Sequence, residues 1–153
     1  MIVLLDSSPL GMLTNPNNTN KTKAITKWAI SLRRAKVSII VPEICDYELR
    51  RSLIRRNNQK AISKLDYLNR NFGYLVLDTK TLQLAARFWA DLRNKGLATT
   101  GDKELDCDVI LAAQAVIVSQ KPENIGERVI IASENLKHIT RLADADTWKN
   151  IKP

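Results

Sequence analysis

The sequence predicts an α/β fold, a three-layer α/β/α arrangement around a mostly parallel central sheet of four to five strands. Two observations carry this expectation. Short apolar or β-branched runs of strand length recur at residues 2–5, 37–41, 74–77 and 128–132. Between them lie long stretches with helical apolar spacing. Strands that alternate with helices pair in parallel, and right-handed crossovers then place helices on both faces of the sheet.

Taken in order, IVLL (2–5) is a continuous apolar run, as in a strand buried on both faces. NPNNTN (15–20) consists of turn-formers and reads as a loop. Ala24, Ile25, Trp28, Ala29, Leu32 and Ala35 make one helical stripe over 21–35. VSIIV (37–41) is β-branched and reads as a second buried strand. Pro42 suits the first turn of a helix that runs to about Asn57, and a further helix is expected from Gln59 to Asn71. YLVL (74–77) is a third strand. Leu82, Ala85, Trp89 and Leu92 mark a helix over 79–95 that Gly96 closes. Residues 97–105 read as a loop, and DCDVILAAQAVIV (106–118) as a buried helix with acids at its start. RVIIA (128–132) is a fourth strand, followed by a short helix around 135–142 and a weak last strand near 144–148.

The 153 residues suit one domain spanning 1–153, and a mix that is 44% hydrophobic and 26% charged is that of an ordinary soluble globular protein. Asp6 interrupts the apolar opening and no basic stretch precedes it, so neither a signal peptide nor a membrane span is expected, and the cytoplasm is the expected compartment. Two sequons, at Asn17 and Asn20, have no meaning without secretion. Cys45 and Cys107 make no disulfide framework and read as small core fillers. The net charge of +8 favours a polyanion, nucleic acid being the commonest, though solubility alone also accounts for it. His138 is the single histidine, which argues against a Ser-His-Asp triad and a histidine-rich zinc site. No Gly-rich phosphate-binding motif and no G-x-S-x-G is present.

In open parallel sheets, sites form beyond the carboxyl ends of the strands. After IVLL comes Asp6, then Ser7 and Ser8; after RVIIA come Ser133, Glu134 and Asn135. Asp6 and Ser133 would equally serve as turn or cap residues. Glu48 falls on the helical arc that holds Ile44, Cys45, Leu49 and Ser52, where a carboxylate needs a partner. A metal ion is one such partner; Arg51, three residues on, is another. Asp102, Glu104, Asp106 and Asp108 crowd into seven positions, more than capping explains. Of these, Asp108 has the better spacing into the apolar run, and Asp106 suits the cap. Like charges about 4 Å apart cost roughly 4 kcal/mol at an effective dielectric of 20, so converging carboxylates either share protons or hold a cation. Oxygen-only ligands suit Mg²⁺ or Mn²⁺, which activate water for phosphodiester hydrolysis. Arg50, Arg51, Arg55, Arg56, Lys60 and Lys64 follow Glu48 and either hold a phosphate backbone or form a solvated face.

Four pieces stand in order along the chain: a strand ending in Asp (IVLLDSS), a helical Glu followed by Leu and Arg (YELRRSL), Asp opening an Ala-rich buried helix (DVILAAQA), and a strand ending in Ser-x-Asn (IIASENLKHI). This order resembles PIN domains, in particular toxin ribonucleases of the VapC type, from Ile2 to about Asp144. The resemblance implies Asp6, Glu48 and Asp108 as metal ligands and Asn135 as a fourth catalytic position, neutral where the four-acid version carries an acid. Ser133 stands where the family often has Thr, and Asp106 and Ser133 are possible accessory residues. His138 falls where many members carry Asp and receives no role. What the resemblance implies is a Mg²⁺- or Mn²⁺-dependent endoribonuclease, the toxin of a toxin–antitoxin pair, with a small antitoxin partner and a homodimer. Arg51, Arg55 and Lys60 are the candidate RNA-binding residues. The alternative is a non-catalytic PIN-like module that binds RNA or a protein without cutting.

Overall fold

The computed structural model describes residues 1–97 and 101–153, with side chains for all of these except 102–104. Five strands form one parallel sheet in the order β3-β2-β1-β4-β5. These are β1 (Ile2–Leu5), β2 (Ser38–Pro42), β3 (Gly73–Leu75), β4 (Val129–Ala132) and β5 (Ala145–Asp146). Helices α1 (Ser7–Thr14) and α2 (Asn20–Arg34) connect β1 to β2; α3 (Glu43–Arg55) and α4 (Gln59–Asn71) connect β2 to β3. Helices α5 (Thr79–Asn94) and α6 (Asp102–Ser119) carry the chain back across the sheet to β4. The arrangement is the expected α/β/α sandwich.

Every residue of β1 and β4 is buried, as their unbroken apolar runs require. The two strands are paired from Ile2 opposite Val129 to Leu5 opposite Ala132. β1 continues into β2 on one side, whereas β4 arrives on its other side only after the long return through α5 and α6. The strand order therefore reverses between β1 and β4, and this is where a parallel sheet opens a crevice at its carboxyl edge. The sheet rests on a core that includes Leu4, Leu5, Leu10, Ile25, Leu32, Leu65, Leu111, Ile130 and Ile131. Trp28 of α2 donates its indole N–H to the Ile151 carbonyl at 2.8 Å and packs at a tilt on Trp148, fixing the carboxyl-terminal segment. Among the described residues no helix is long and apolar enough to cross a membrane.

Several elements differ from expectation. Helix α1 has no counterpart among the expected elements: Asp6 caps it, and Pro9 needs no hydrogen-bond partner in the first turn. Leu10 and Leu13 then reach the core. Pro42 ends β2 and precedes α3 rather than lying within its first turn. Helix α6 begins at Asp102 instead of Asp106, because Leu105, expected in a loop, is fully buried against Ala85, Leu92 and Val109 and extends the apolar face by a turn. Asp106 and Asp108 consequently lie inside the helix, neither capping nor opening it. Residues 98–100 of the expected loop lie outside the described residues. β3 is shorter and earlier than 74–77, and the expected helix near 135–142 is a single 3-10 turn, Ile139–Arg141. Gly96 closes α5 as expected, with a positive φ of 63° and the Leu97 amide donating back to the Leu92 carbonyl.

Candidate active site

The site is built at the β1/β4 reversal. Asp6 follows β1, its backbone N–H continues the ladder to the Ala132 carbonyl, and its side chain is buried. One carboxylate oxygen, Oδ1, accepts the Ser7 N–H at 2.6 Å; the other, Oδ2, accepts the Ser133 hydroxyl at 2.6 Å. The cap of α1 and the end of β4 thus hold the same carboxylate from two sides. Ser133 is itself fully buried, and its Oγ accepts the Asn135 N–H at 2.9 Å.

Glu48 is half-buried on α3, and its Oε2 accepts the Ser7 hydroxyl at 2.6 Å. The same hydroxyl stands 3.3 Å from Asp6 Oδ1. One proton therefore faces two carboxylates, and the bond to Glu48 spans a sequence separation of 41 residues from Ser7. Arg51, the alternative partner of Glu48, lies over the Tyr47 ring instead, with Cζ 5.3 Å from its centroid. Burial raises the Asp6 carboxyl above its ordinary value; the hydrogen bonds from Ser133 and Ser7 oppose this, and the charge of Glu48 adds to it.

Asp108 is half-buried on α6, with one carboxylate oxygen shielded from solvent. Its neighbour Cys107 reports the surroundings. The thiol is pushed up to about 12, first by burial, then by the charge of Glu48, with Asp108 and Asp106 adding and Arg51 opposing. Cys45, fully enclosed on α3, is raised by burial and by Asp6 and Glu48. Among the described residues, however, no three His, Cys, Asp or Glu side chains stand close enough together to hold a metal ion. The structure links Asp6 to Glu48 through the Ser7 hydroxyl, and Asp108 follows Cys107, a thiol that feels the charge of Glu48. The donor chemistry fits a hard divalent cation, because two carboxylate oxygens here share one hydroxyl proton.

The other candidates divide. Asn135 is exposed, tied to Asp6 through its backbone and the Ser133 hydroxyl. Asp106 is exposed and lines a shallow groove between α5 and α6 with Leu82, Trp89 and Val109. His138 is buried, and burial together with Lys137, Arg141 and Arg93 lowers its pKa, favouring the neutral imidazole. Arg51, Arg55, Arg56 and Lys60 are exposed on α3 and the start of α4. Arg50, one of the expected phosphate contacts, is taken up by an internal network: it pairs with buried Asp46 at 2.9 Å and with Asp66 at 2.8 Å, while Asn69 also donates to Asp46. Ser7 is the residue that sequence reasoning passed over; the signal was its place immediately after the strand-ending Asp.

No family model matches the sequence, and no curated protein matches it. Solved structures do match. VapBC2 from Rickettsia felis, bound to a DNA fragment from its promoter, contains a chain that superposes with a TM-score of 0.69 at 17% identity, over 97% of this chain and 99% of that one. FitAcB from Neisseria gonorrhoeae gives 0.68 at 16% identity, over 97% and 99%. VapBC-1 from nontypeable Haemophilus influenzae gives 0.66 at 15%, over 98% and 100%. TM-scores of 0.66–0.69 with near-complete mutual coverage show a shared fold: the chain has the PIN-domain fold of the VapC type.

Proposed function

We propose that this protein is a metal-dependent endoribonuclease and the toxin of a toxin–antitoxin pair. The observation that carries the reading is the Asp6–Ser7–Glu48 arrangement at the carboxyl edge of the sheet. Asp6, Glu48 and Asp108 would hold Mg²⁺ or Mn²⁺, and Asn135 would assist from the rim as a neutral ligand or by orienting water. Bound there, the ion would supply an activated water and charge stabilisation at a phosphodiester. The chain's own residues do the positioning. Ser133 and the Ser7 amide fix the Asp6 carboxylate, and Ser7 fixes Glu48. Arg51, Arg55 and Lys60 offer cations to the RNA backbone beside the acids. The likeness to chains of the VapBC and FitAcB complexes supports an antitoxin partner, and the proposal includes self-association as a homodimer. The cytoplasm is the compartment such a substrate requires.

A non-catalytic PIN-like module is the second reading. It is favoured by the lack, among the described residues, of a three-ligand cluster and by the neutral Asn135. Cleavage of single-stranded RNA in Mg²⁺ or Mn²⁺ and in excess EDTA, for wild type, Glu48→Gln and Asp108→Asn, separates the two. The nuclease reading expects cutting only by wild type with metal. Undiminished cutting in EDTA would overturn the metal assignment, and binding without cutting under every condition would favour the module.

A further inference from the structure

Tyr47 precedes Glu48 on α3, and its side chain is 57% exposed. Arg51 covers one face of its ring, with Cζ 5.3 Å from the centroid. Ile54, 61% exposed, and Arg55 continue the same outward stripe, and Arg51, Ser52, Arg55 and Arg56 line a shallow hollow beside it. Arg50, on the same helix, is spent on Asp46 and Asp66, so Tyr47 and Arg51 are not part of that network. Arg51 also lies close enough to the acids to oppose their effect on Cys107. An exposed aromatic ring with a guanidinium against it thus stands next in sequence to Glu48, whose carboxylate the Ser7 hydroxyl links to Asp6.

Resting on the ribonuclease reading, we propose that Tyr47 and Arg51 form a subsite for one unpaired nucleotide of single-stranded RNA. The base stacks on the open face of Tyr47, and the adjoining phosphate meets the Arg51 guanidinium. The neighbouring phosphodiester is thereby held towards Asp6 and Glu48. Stacking on a ring tolerates any base, because every base has a π-face, but it requires an unpaired one. The positive charge of the stripe and the net charge of +8 complement a phosphate backbone. Tyr47 is a positioning and binding residue in this scheme and takes no part in bond breaking.

The test measures binding in EDTA, where the ribonuclease reading predicts no cutting, using a labelled uridine octamer and an abasic ribose–phosphate chain of equal length. Wild type should prefer the octamer. Tyr47→Ala should weaken octamer binding by about five- to a hundredfold, the range for loss of one stacked base. It should leave abasic binding within about twofold, and Tyr47→Phe should retain the preference. Arg51→Gln should weaken both ligands and flatten the salt dependence by about 0.7 in log–log slope. Equal loss of both ligands in Tyr47→Ala, or no loss, would overturn the subsite. Preferential binding of an acidic peptide, run in parallel, would assign the face to a protein partner and also overturn it. A wild type that binds neither oligomer would remove the RNA reading and the subsite together. A Tyr47-dependent preference in a protein that never cuts would keep the subsite and refute only the nuclease reading.

Discussion

Replacing Ser7 by alanine isolates what one hydroxyl does for the acid pair. The Ser7 N–H to Asp6 survives this change; the 2.6 Å donation to Glu48 Oε2 and the 3.3 Å contact with Asp6 Oδ1 do not. A hydrogen bond to a charged acceptor contributes about 1.5–3 kcal/mol. Ser7 and Glu48 are only half-buried, so water replaces part of it, and a net loss of about 1–2 kcal/mol is expected in EDTA. For a chain of this size that lowers Tm by roughly 2–8 °C. A divalent ion at about a hundredfold its Kd adds about 2.7 kcal/mol to a protein that binds it. Because the cation would take over the role of the bridging proton, the gap between variant and wild type should narrow in Mg²⁺. Thermal unfolding followed by circular dichroism, with EDTA and with Mg²⁺, measures both quantities. A variant that melts with wild type in EDTA would refute the bridge, and a gap that Mg²⁺ leaves unchanged would refute its replacement by a cation.

Three further outcomes are expected. Asp6 has a raised pKa in the folded state, so folding takes up a proton, and the stability of wild type relative to Asp6→Asn should fall as pH rises from about 4 to 7; a relative stability that rises over that range would reverse the sign and refute the burial account. Asp46→Ala leaves Arg50 facing only Asp66 and should cost about 2–4 kcal/mol in chemical denaturation, less than for a fully enclosed pair because Arg50 is partly exposed; a cost below about 1 kcal/mol would show that the network contributes little. Reversing Arg51, Arg55 and Lys60 to Glu should weaken RNA binding, and each lost phosphate contact should flatten the log–log salt dependence by about 0.7; affinity that is flat with salt in wild type would make the run a solvated face.

The sheet was legible because β1 and β4 are short, apolar and enclosed and β2 is largely β-branched, so their side chains carry no competing pattern. Asp6 and Glu48 could be singled out for a related reason, since each is a carboxylate placed where an apolar element ends or turns inward. What joins them was not legible. The direction of the Ser7 hydroxyl depends on α1 starting immediately after Asp6, and that short helix contains both Pro9 and Gly11, which mask its apolar spacing. The start of α6 was misjudged because its first turns are rich in acids and only Leu105 reveals the buried face. The basic run looked uniform along the chain. Arg50 differs from Arg51 in its partners: Asp46, one helical turn back within α3, and Asp66 on α4, which spacing within α3 does not reveal.

The strand order also sets a schedule. β1 is the first strand to leave the ribosome, yet it occupies the middle of the finished sheet, and one of its edges stays open until β4 exists. Ser133, which closes on Asp6, is made 127 residues later. At about 5–20 residues per second, that interval is roughly 6–25 seconds. Throughout it, Asp6 has no buried serine to hold it and no neighbouring strand to exclude water on that side. If the chain cuts RNA, Asp6 is therefore not held in its final place until β4 and Ser133 have been made.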